Sequence, residues 1–352
     1  MKRTILVIGD TLPTKKVPHL SYLDRSLLRF IDYMDLLFKK SIDLNVCDYQ
    51  ALLKGNLPRI DTHSVKAMLF FPYSYWNRHI EKRSQDGRIY GGRAYGEKFK
   101  NFSDMVNSRL RKAYKRRNLS FVNPPGSIKL DRDKKQTKLI FKKKGIPTPI
   151  LYKIKKPEEI IDLIDKGQSL FLKPRFGAMG KGLTYLAKDG WYTNFLYRSG
   201  NVISRGFDYG WDFMKVTGKL CFLEKLIRND FIVEEAIDLP MIGRKKFDLR
   251  CYCIYGKIPY MYARSVPAKN FVTNWSQGGK IEGKSFLAKI PKKRLVLAKK
   301  YALLAAKALG LNYAGVDIVF SKDYRKVYVL EAHSFPSYET GFDLMGYLIN
   351  HL

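Results

Sequence analysis

Short apolar runs, each interrupted by glycine, proline or charged residues, most restrict how this chain of 352 residues can fold. Residues 4–8, 67–71 and 314–320 are runs of this kind, and their length suits buried β-strands. No run approaches the roughly 18 apolar residues of a membrane-spanning helix. Hydrophobic residues make up 45% of the chain, which supports a sizeable core and excludes a disordered protein. We therefore expect about two packed units of mixed helix and strand.

The order of the runs predicts an α/β unit followed by an α+β region. In roughly the first 120 residues, strands at 4–8 and 67–71 alternate with a helix at 26–38, and RIYGGRAYG at 88–96 is predicted as a loop. The prolines and glycine of residues 123–126 mark a boundary. The helices predicted beyond it cover residues 131–144, 157–166 and 292–309, and the strands cover residues 169–173, 231–235, 247–255, 257–265, 314–320 and 326–332.

A large excess of basic residues indicates acidic partners. Lys and Arg number 65 against 32 Asp and Glu, which gives a net charge of +33 and favours polyanionic ligands. Nucleic acid is disfavoured because no helix-turn-helix, zinc-finger or RNP signature is present. The four cysteines form no CxxC pair, and the N-terminal residues lack the apolar region of a signal peptide. We therefore expect a cytoplasmic protein without a membrane partner.

The segment FLKPRFGAMGKGL, residues 171–183, joins the end of a strand to a glycine-rich turn. Glycines let backbone N–H groups approach a polyphosphate closely, and lysines neutralise its charge. The spacing matches neither the P-loop pattern nor the dinucleotide-binding glycine motif. By itself the segment therefore fits a phosphate-binding loop and a tight hairpin turn about equally. Its polar and glycine residues are Lys173, Gly177, Gly180, Lys181 and Gly182.

Acids, arginines and an amide follow at the ends of later strands or in the turns between them. Carboxylates from neighbouring strand ends are the arrangement that holds Mg²⁺ against nucleotide phosphates. The residues are Glu234 and Glu235 in IVEEAI, Asp248 and Arg250 in FDLR, Arg264, Asn274, Asp317 in GVD, and Glu331 and His333 in VLEAH.

In this order, the segments between Asn123 and about Gly341 resemble the ATP-grasp superfamily. Asp133 and Lys134 lie in a stretch that resembles the lead-in helix of RimK-like amino-acid ligases. The sequence EAIDLPMIGRKKFDLR, residues 235–250, is similar to tubulin-tyrosine-ligase-like enzymes and to the YheC/YheD group. The resemblance implies an ATP-grasp fold, in which two α+β lobes clamp ATP, preceded by a small α/β N-terminal domain. The implied units are residues 1–122, a central lobe with a glycine-rich lid at 123–230, and a C-terminal lobe with metal carboxylates at 231–352.

The resemblance implies that one group of residues binds ATP. Its lysines would contact the phosphates, its glycine-rich segment would form a lid over them, and its strand acids would receive the adenine and ribose. The group consists of Lys134, Lys173, Gly177, Met179, Gly180, Lys181, Gly182, Glu234, Glu235 and Asp248.

A second group would carry the chemistry. By resemblance, Arg250 belongs to an element beside the nucleotide and the acceptor, and Arg264 and Asn274 lie near the transferring phosphoryl group. Asp317 and Glu331 would bridge Mg²⁺. Because a guanidinium can hold a carboxylate bidentately, Arg250 and Arg264 also suit an acceptor carboxylate that ATP would repel. The implied cofactors are ATP and two Mg²⁺ ions, with Mn²⁺ as the alternative metal.

His333 departs from the family pattern, which usually has Asn at this position. An amide oxygen is a hard ligand that suits Mg²⁺, whereas imidazole prefers Zn, Cu or Fe. Three interpretations stay open: His333 binds a softer ion, ligates Mg²⁺ weakly, or only forms a hydrogen bond with Glu331. A weakened or altered active site is also open.

The family chemistry implies an ATP-dependent carboxylate–amine ligase that forms an amide through an acyl phosphate. The basic charge favours an acidic peptide or protein as acceptor, to which an amino acid is added. Two alternatives are a kinase of a polyphosphorylated small molecule and a non-catalytic polyanion- or coat-binding protein that retains the fold. Their products separate them: an amide, a phosphorylated metabolite, or ATP binding without turnover.

Overall fold

Four β-sheets organise the residues that the computed structural model describes, which are residues 3–10, 25–80, 89–205, 211–216, 220–274, 277–336 and 341–352. The first sheet is parallel, the two largest are antiparallel, and the smallest is a two-stranded hairpin. None of the helices within these residues is both long enough and apolar enough to cross a membrane.

The parallel sheet lies nearest the N-terminus. Its strands are β1 (Arg3–Gly9), β2 (Ile42–Asp48), β3 (Ser64–Leu69) and β4 (Asn118–Phe121), in the order β2-β1-β3-β4. Leu6 and Ile8 pack into one apolar cluster and Ile5 and Val7 into another, so both faces of β1 are buried, as is typical of parallel sheets. The helices of this part are α1 (Arg25–Ile31), α2 (Met34–Lys39), α3 (Tyr49–Lys54), α4 (Tyr73–Tyr75), a π-helical segment (Trp76–Ile80) and α5 (Arg93–Ala113).

Two elements predicted for this part have different bounds in the structure. The helix predicted at residues 26–38 is divided into α1 and α2 by a turn at residues 32–33. The segment predicted as a loop at 88–96 is helical from Arg93 onward, because Phe99 and Phe102 give α5 a buried face that outweighs the glycines near its start. Arg88 lies outside the described residues.

The second sheet forms the middle of the chain. Its strands are β5 (Leu151–Tyr152), β6 (Leu170–Pro174), β7 (Thr184–Ala187), β8 (Gly190–Thr193), β11 (Met214–Val216) and β12 (Phe231–Glu235), while β9 (Leu196–Arg198) and β10 (Asn201–Ile203) form the hairpin. The order is β11-β8-β7-β6-β12-β5. Since β12 pairs with both β5 and β6, this sheet continues past the predicted lobe boundary after residue 230. The helices are α6 (Pro125–Arg132), α7 (Lys134–Lys143), α8 (Pro157–Asp165) and α9 (Leu220–Arg228).

The single helix predicted at residues 131–144 is interrupted at Asp133. Asp133 has an extended backbone, which ends α6, and its carboxylate accepts a hydrogen bond from the Gln136 N–H, which caps α7. The cap fixes where α7 begins and therefore which of its lysines turn inward.

The third sheet carries the predicted metal carboxylates. Its strands are β13 (Met241–Ile242), β14 (Lys245–Ile254), β15 (Lys257–Pro267), β16 (Lys280–Glu282), β17 (Tyr313–Phe320) and β18 (Val327–His333), in the order β16-β15-β14-β17-β18 with β13 against β14. Its helices are α10 (Lys284–Leu287), α11 (Lys292–Ala308) and α12 (Leu344–Ile349). Ala298, Ala302 and Ala305 of α11 are fully buried, so small residues let this helix pack closely against the sheet.

Candidate active site

A cavity of about 560 Å³ lies between the second and third sheets. Residues of β6, the glycine-rich loop after it, β12, β14, β17 and β18 line it. The predicted residues on its wall are Lys134, Lys173, Gly177, Gly180, Lys181, Glu234, Glu235, Asp248, Asn274, Asp317 and Glu331. The remaining predicted residues adjoin this wall in the chain or in space: Met179, Gly182, Arg250, Arg264 and His333.

Glu234 forms the most deeply buried charge cluster of the wall. Its side chain is 1% exposed and forms ion pairs with Lys173 and with Lys138, whose Nζ is 3.1 Å from Glu234 Oε2. The contact with Lys138 lacks hydrogen-bond alignment. Although burial opposes ionisation, Lys138 and Lys173 hold the pKa of Glu234 below its usual range. Glu234 therefore holds two lysines at the cavity wall, and its contact with adenine or ribose stays a prediction.

The sequence pattern did not single out Lys138. It follows Lys134 by four residues on α7, so the two side chains share one helix face. Burial lowers the pKa of Lys138, with Glu234 acting in the opposite direction. For Lys173, burial favours the neutral amine, but Glu234 and Glu331 raise its pKa above the usual value. Lys173 is therefore held as a cation at the cavity wall.

Lys134 and Glu331 form a second ion pair on the same wall. Lys134 Nζ is 3.0 Å from Glu331 Oε1, and both side chains are at most 25% exposed. Burial opposes ionisation of Glu331, but Lys134, His333 and Lys173 together lower its pKa to about 2. Glu331 is therefore a carboxylate across the physiological pH range.

The two predicted arginines are paired with aspartates by the strand register. Arg250 lies directly opposite Asp317, and Arg264 lies directly opposite Asp248. Arg250 Nε is 2.6 Å from Asp317 Oδ1, and Arg264 contacts Asp248 and, at 3.1 Å, Asp317 Oδ2. Directly opposite residues of antiparallel strands hold their side chains next to each other, which explains these pairs.

That Arg250 and Arg264 hold an acceptor carboxylate stays a prediction, because in this structure both side chains are paired with aspartates. Both guanidinium groups are almost fully buried and already bind carboxylates of the protein. Although burial raises the pKa of Asp317, Arg250 and Arg264 hold it well below its usual value. The arginines therefore fix the charge and position of Asp317.

Asp317, Glu331 and His333, the predicted metal ligands, lie close together at the cavity. Asp317 and Glu331 lie opposite each other on β17 and β18, and His333 Nε2 is 3.3 Å from Asp317 Oδ2 and 3.5 Å from Glu331 Oε2. Two carboxylates suit Mg²⁺, and the imidazole adds a donor that softer ions prefer. Within the described ranges no three acidic, His or Cys side chains form a ready metal site. Both Asp317 oxygens contact arginines, so a metal would replace one of these contacts.

The glycine-rich segment forms a tight loop over the cavity. Met179, Gly180 and Gly182 have positive φ angles of 58°, 66° and 71°. At Gly182 a Cβ would lie 2.7 Å from atoms of Phe195 and Pro174, so only glycine fits there. Gly180 O accepts a hydrogen bond from Asn194 Nδ2. Such a loop leaves backbone close to the cavity, as a lid over phosphates requires.

This loop is anchored on the segment that leads into α5, a contact that the sequence did not predict. Phe176 N donates to Gly91 O at 2.9 Å, and Ala178 N donates to Tyr90 Oη at 3.2 Å. A Cβ on Gly96 would lie 2.4 Å from the Phe176 ring. The part of 88–96 within the described residues thus provides the surface on which the loop rests.

Apolar side chains that the sequence pattern did not single out form a further part of the cavity wall. Phe171 and Tyr185 lie on β6 and β7, with ring centroids 5.3 Å apart, and Tyr185 packs on Phe271 at 4.9 Å. All three line the cavity. A flat apolar wall of this kind suits an aromatic base. Glu235 lines the same cavity and accepts a hydrogen bond from Ile150 N at 3.3 Å.

Comparison with known proteins identifies the family. The model of the YheC/D like ATP-grasp family matches residues 141–346. The chain belongs to the YheC/D-like ATP-grasp family. The matched range contains the arginine–aspartate pairs and the predicted metal carboxylates but begins after Lys134 and Lys138. Membership confirms the resemblance seen in the order of the motifs.

Curated relatives of this ATP-grasp protein are named as ligases. Tetrahydromethanopterin:alpha-L-glutamate ligase of Methanocaldococcus jannaschii is 28% identical over 219 residues, which is 62% of each chain. A probable alpha-L-glutamate ligase of Parasynechococcus marenigrum is 30% identical over 241 residues, which is 66% of this chain and 43% of that protein. The match therefore spans less than two thirds of either relative.

A solved structure with the same fold is that of the ATP-grasp ligase PsnB with a phosphomimetic variant of a minimal precursor, Mg and ADP. Its TM-score is 0.56 at 17% identity, and the alignment covers 99% of this chain and 96% of that one. The similarity confirms the predicted fold class, an ATP-grasp fold of α/β and α+β parts.

Proposed function

We propose that this chain is an ATP-dependent carboxylate–amine ligase that forms an amide bond through an acyl phosphate. The observation that carries the proposal is that Lys173, Asp317 and Glu331 line one cavity between two antiparallel sheets. Cations for a triphosphate and acids for its metal, gathered in one cavity, are what phosphoryl transfer requires. The names of the curated relatives support the same reaction class.

ATP would occupy this cavity with its base against the wall of Phe171 and Tyr185. Its phosphates would face Lys134 and Lys173, beneath the glycine-rich loop. Asp317, Glu331 and, as the adjacent donor, His333 would hold Mg²⁺, which offsets phosphate charge and activates the terminal phosphoryl group when bound. Whether one or two ions bind, and whether Mn²⁺ replaces Mg²⁺, are parts of the proposal that metal titration tests.

In the first chemical step, a carboxylate oxygen of the acceptor attacks the γ-phosphorus of ATP, and ADP leaves. In the second, an amine attacks the acyl carbon, and phosphate leaves as the amide forms. Lys134 and Lys173 offset the charge of the transferred group, which a water-excluded cavity makes more effective. The loop over the cavity excludes water that would hydrolyse the acyl phosphate. Arg250 and Arg264 keep Asp317 ionised and in place.

The proposed acceptor is an acidic peptide or protein, and the proposed amine is L-glutamate. A net charge of +33 would attract a polyanionic acceptor and raise its association rate at low salt. The names of the relatives refer to glutamate, which makes it the first amine to test.

We further propose a division into an N-terminal unit at residues 1–122, a central lobe from residue 123, and a C-terminal lobe. The pairing of β12 with β6 supports a lobe boundary after Glu235 instead of after residue 230.

The test incubates purified protein with ATP, Mg²⁺, L-glutamate and an oligoglutamate peptide. The expected products are ADP, phosphate and a peptide heavier by glutamate residues. Asp317→Asn should abolish turnover, while Asp323→Asn, which changes an exposed acid of the same lobe, should not. A phosphorylated product without an amide would indicate a kinase instead. Nucleotide binding without ADP formation would indicate a non-catalytic binding protein.

A further inference from the structure

Arg132, at the end of α6, is held in an aromatic cage. Its guanidinium carbon is 5.4 Å from the ring centroids of Phe71 and Trp76 and 5.6 Å from that of Phe99. The Nε atom is buried and has no hydrogen-bond partner among the residues described. Aromatic faces attract a cation, but they do not satisfy guanidinium donors as a carboxylate does. A desolvated donor without an acceptor is costly, so this group is suited to an anionic ligand.

The cage lies beside the predicted metal carboxylates. Asp131 accepts a hydrogen bond from the backbone N–H of Ser334, the residue after His333. Two positions after Arg132, Lys134 forms its ion pair with Glu331. Arg132 therefore lies in the chain between Asp131 and Lys134, both of which contact residues at the end of β18.

The cage also borders the parallel sheet. Phe71 follows the carboxyl end of β3, and its ring packs edge-on against Phe335, just after β18, at 5.4 Å. Open parallel sheets bind ligands at the carboxyl ends of their strands. An acceptor at that edge would lie between the N-terminal sheet and the ATP cavity, with Arg132 at the junction.

Three other arginines near the cavity form hydrogen bonds with carboxylates of the protein. Arg175 forms hydrogen bonds with Asp133, Arg250 with Asp317, and Arg264 with Asp248. The ion pairs found around the cavity, in the part of the chain that is described, do not include Arg132. Burial raises the pKa of the neighbouring Asp131, and the charge of Arg132 acts in the opposite direction without a direct ion pair between the two side chains.

We propose that Arg132 binds a carboxylate of the acidic acceptor and thereby presents the acceptor to the γ-phosphate. This inference rests on the proposed ligase function, because it names the residue that recognises the acceptor class. A bidentate guanidinium–carboxylate contact supplies both charge and orientation. The three rings fix the side chain before the acceptor arrives, which reduces the entropy lost on binding.

The experiment measures binding of an oligoglutamate peptide by calorimetry in the presence of Mg²⁺ and a non-hydrolysable ATP analogue. Arg132→Met should weaken peptide binding by at least about tenfold, as expected when a charge-assisted hydrogen bond is lost. Arg132→Lys should restore only part of the affinity, since an ammonium cannot form the bidentate contact. Affinity for the nucleotide analogue should stay unchanged. Arg111→Met is the matched control, because Arg111 lies over Phe121 on the exposed face of α5.

The outcomes separate this inference from the function on which it rests. Peptide affinity unchanged by Arg132→Met overturns the inference alone. Equal loss of peptide affinity, nucleotide affinity and melting temperature would show a purely structural residue and also overturns it. If Arg132→Met does not fold, Arg132→Lys decides, and full peptide affinity in that variant contradicts the proposal. A wild-type protein that binds nucleotide but no peptide refutes the proposed acceptor class and this inference with it.

Discussion

The buried contacts of Glu234 with Lys138 and Lys173 support a quantitative prediction. Glu234→Gln keeps the shape of the side chain but leaves two buried ammonium groups without their carboxylate. At the 3.1 Å separation from Lys138, the Coulomb energy is about 5 kcal/mol for an effective dielectric constant of about 20. Removing one partner of a buried ion pair usually costs about 3–5 kcal/mol. We expect E234Q to lower the free energy of unfolding by about the same amount near neutral pH.

Two further variants identify the cause of this loss. Glu235→Gln changes the next residue of β12, which is partly exposed, and should cost less than about 1 kcal/mol. Adding Lys138→Met to E234Q removes one of the two uncompensated charges and should recover part of the stability. Urea unfolding followed by tryptophan fluorescence measures all three variants against the wild type.

The difference between wild type and E234Q should also depend on pH. Because Lys138 and Lys173 hold the pKa of folded Glu234 below its ordinary value of 4.5, its ionised form stabilises the native state above pH 4.5. That contribution is lost as the pH falls further, through the folded pKa. The two unfolding curves should therefore converge in acid. An E234Q variant no less stable than E235Q, or a difference that grows in acid, would refute the electrostatic argument.

Three further predictions concern the support of the glycine-rich loop and the two proposed Mg²⁺ ligands His333 and Glu331. Gly96→Ala should displace Phe176, which a Cβ would approach to 2.4 Å, and should weaken binding of a fluorescent ATP analogue, whereas Gly126→Ala, with open space around its Cβ, should not. His333→Asn should lower the Mg²⁺ concentration needed for half-maximal nucleotide binding, because an amide oxygen suits Mg²⁺ better than imidazole, and an increase would contradict this ligand role. Glu331→Gln should raise that concentration at least about tenfold, since a carboxylate ligand is lost, and an unchanged Mg²⁺ titration would exclude Glu331 as a ligand.

The sequence was most informative where a residue's position in a strand fixes its environment. Lys173 lies next to the last residue of a buried strand, and Asp317 and Glu331 lie in apolar strands that pair directly. Short apolar runs of this length are buried on both faces of a sheet. The polar residues that interrupt them are therefore the ones expected to line the cavity. The order of these positions along the chain was enough to indicate the ATP-grasp superfamily, and the family model specifies the YheC/D-like branch.

The features of the site that could not be predicted depend on contacts between segments that are distant in the sequence. Lys138 is one of several lysines in α7, and only the cap at Asp133 sets which of them face Glu234. The pairing of Arg250 with Asp317 depends on strand register, which residue types alone do not specify. The support of the glycine-rich loop by Tyr90 joins residues far apart in the chain and leaves no local signal in either segment.

The central claim is that an acceptor carboxylate is activated by the γ-phosphate of ATP in the cavity of Lys173, Asp317 and Glu331. The most direct test supplies an oligoglutamate acceptor whose carboxylates carry ¹⁸O and analyses the released phosphate by mass spectrometry. An acyl-phosphate route transfers one labelled oxygen from the acceptor to each phosphate released, with ADP as the other product. Unlabelled phosphate from a reaction that still forms the amide, or release of AMP in place of ADP, would contradict the mechanism.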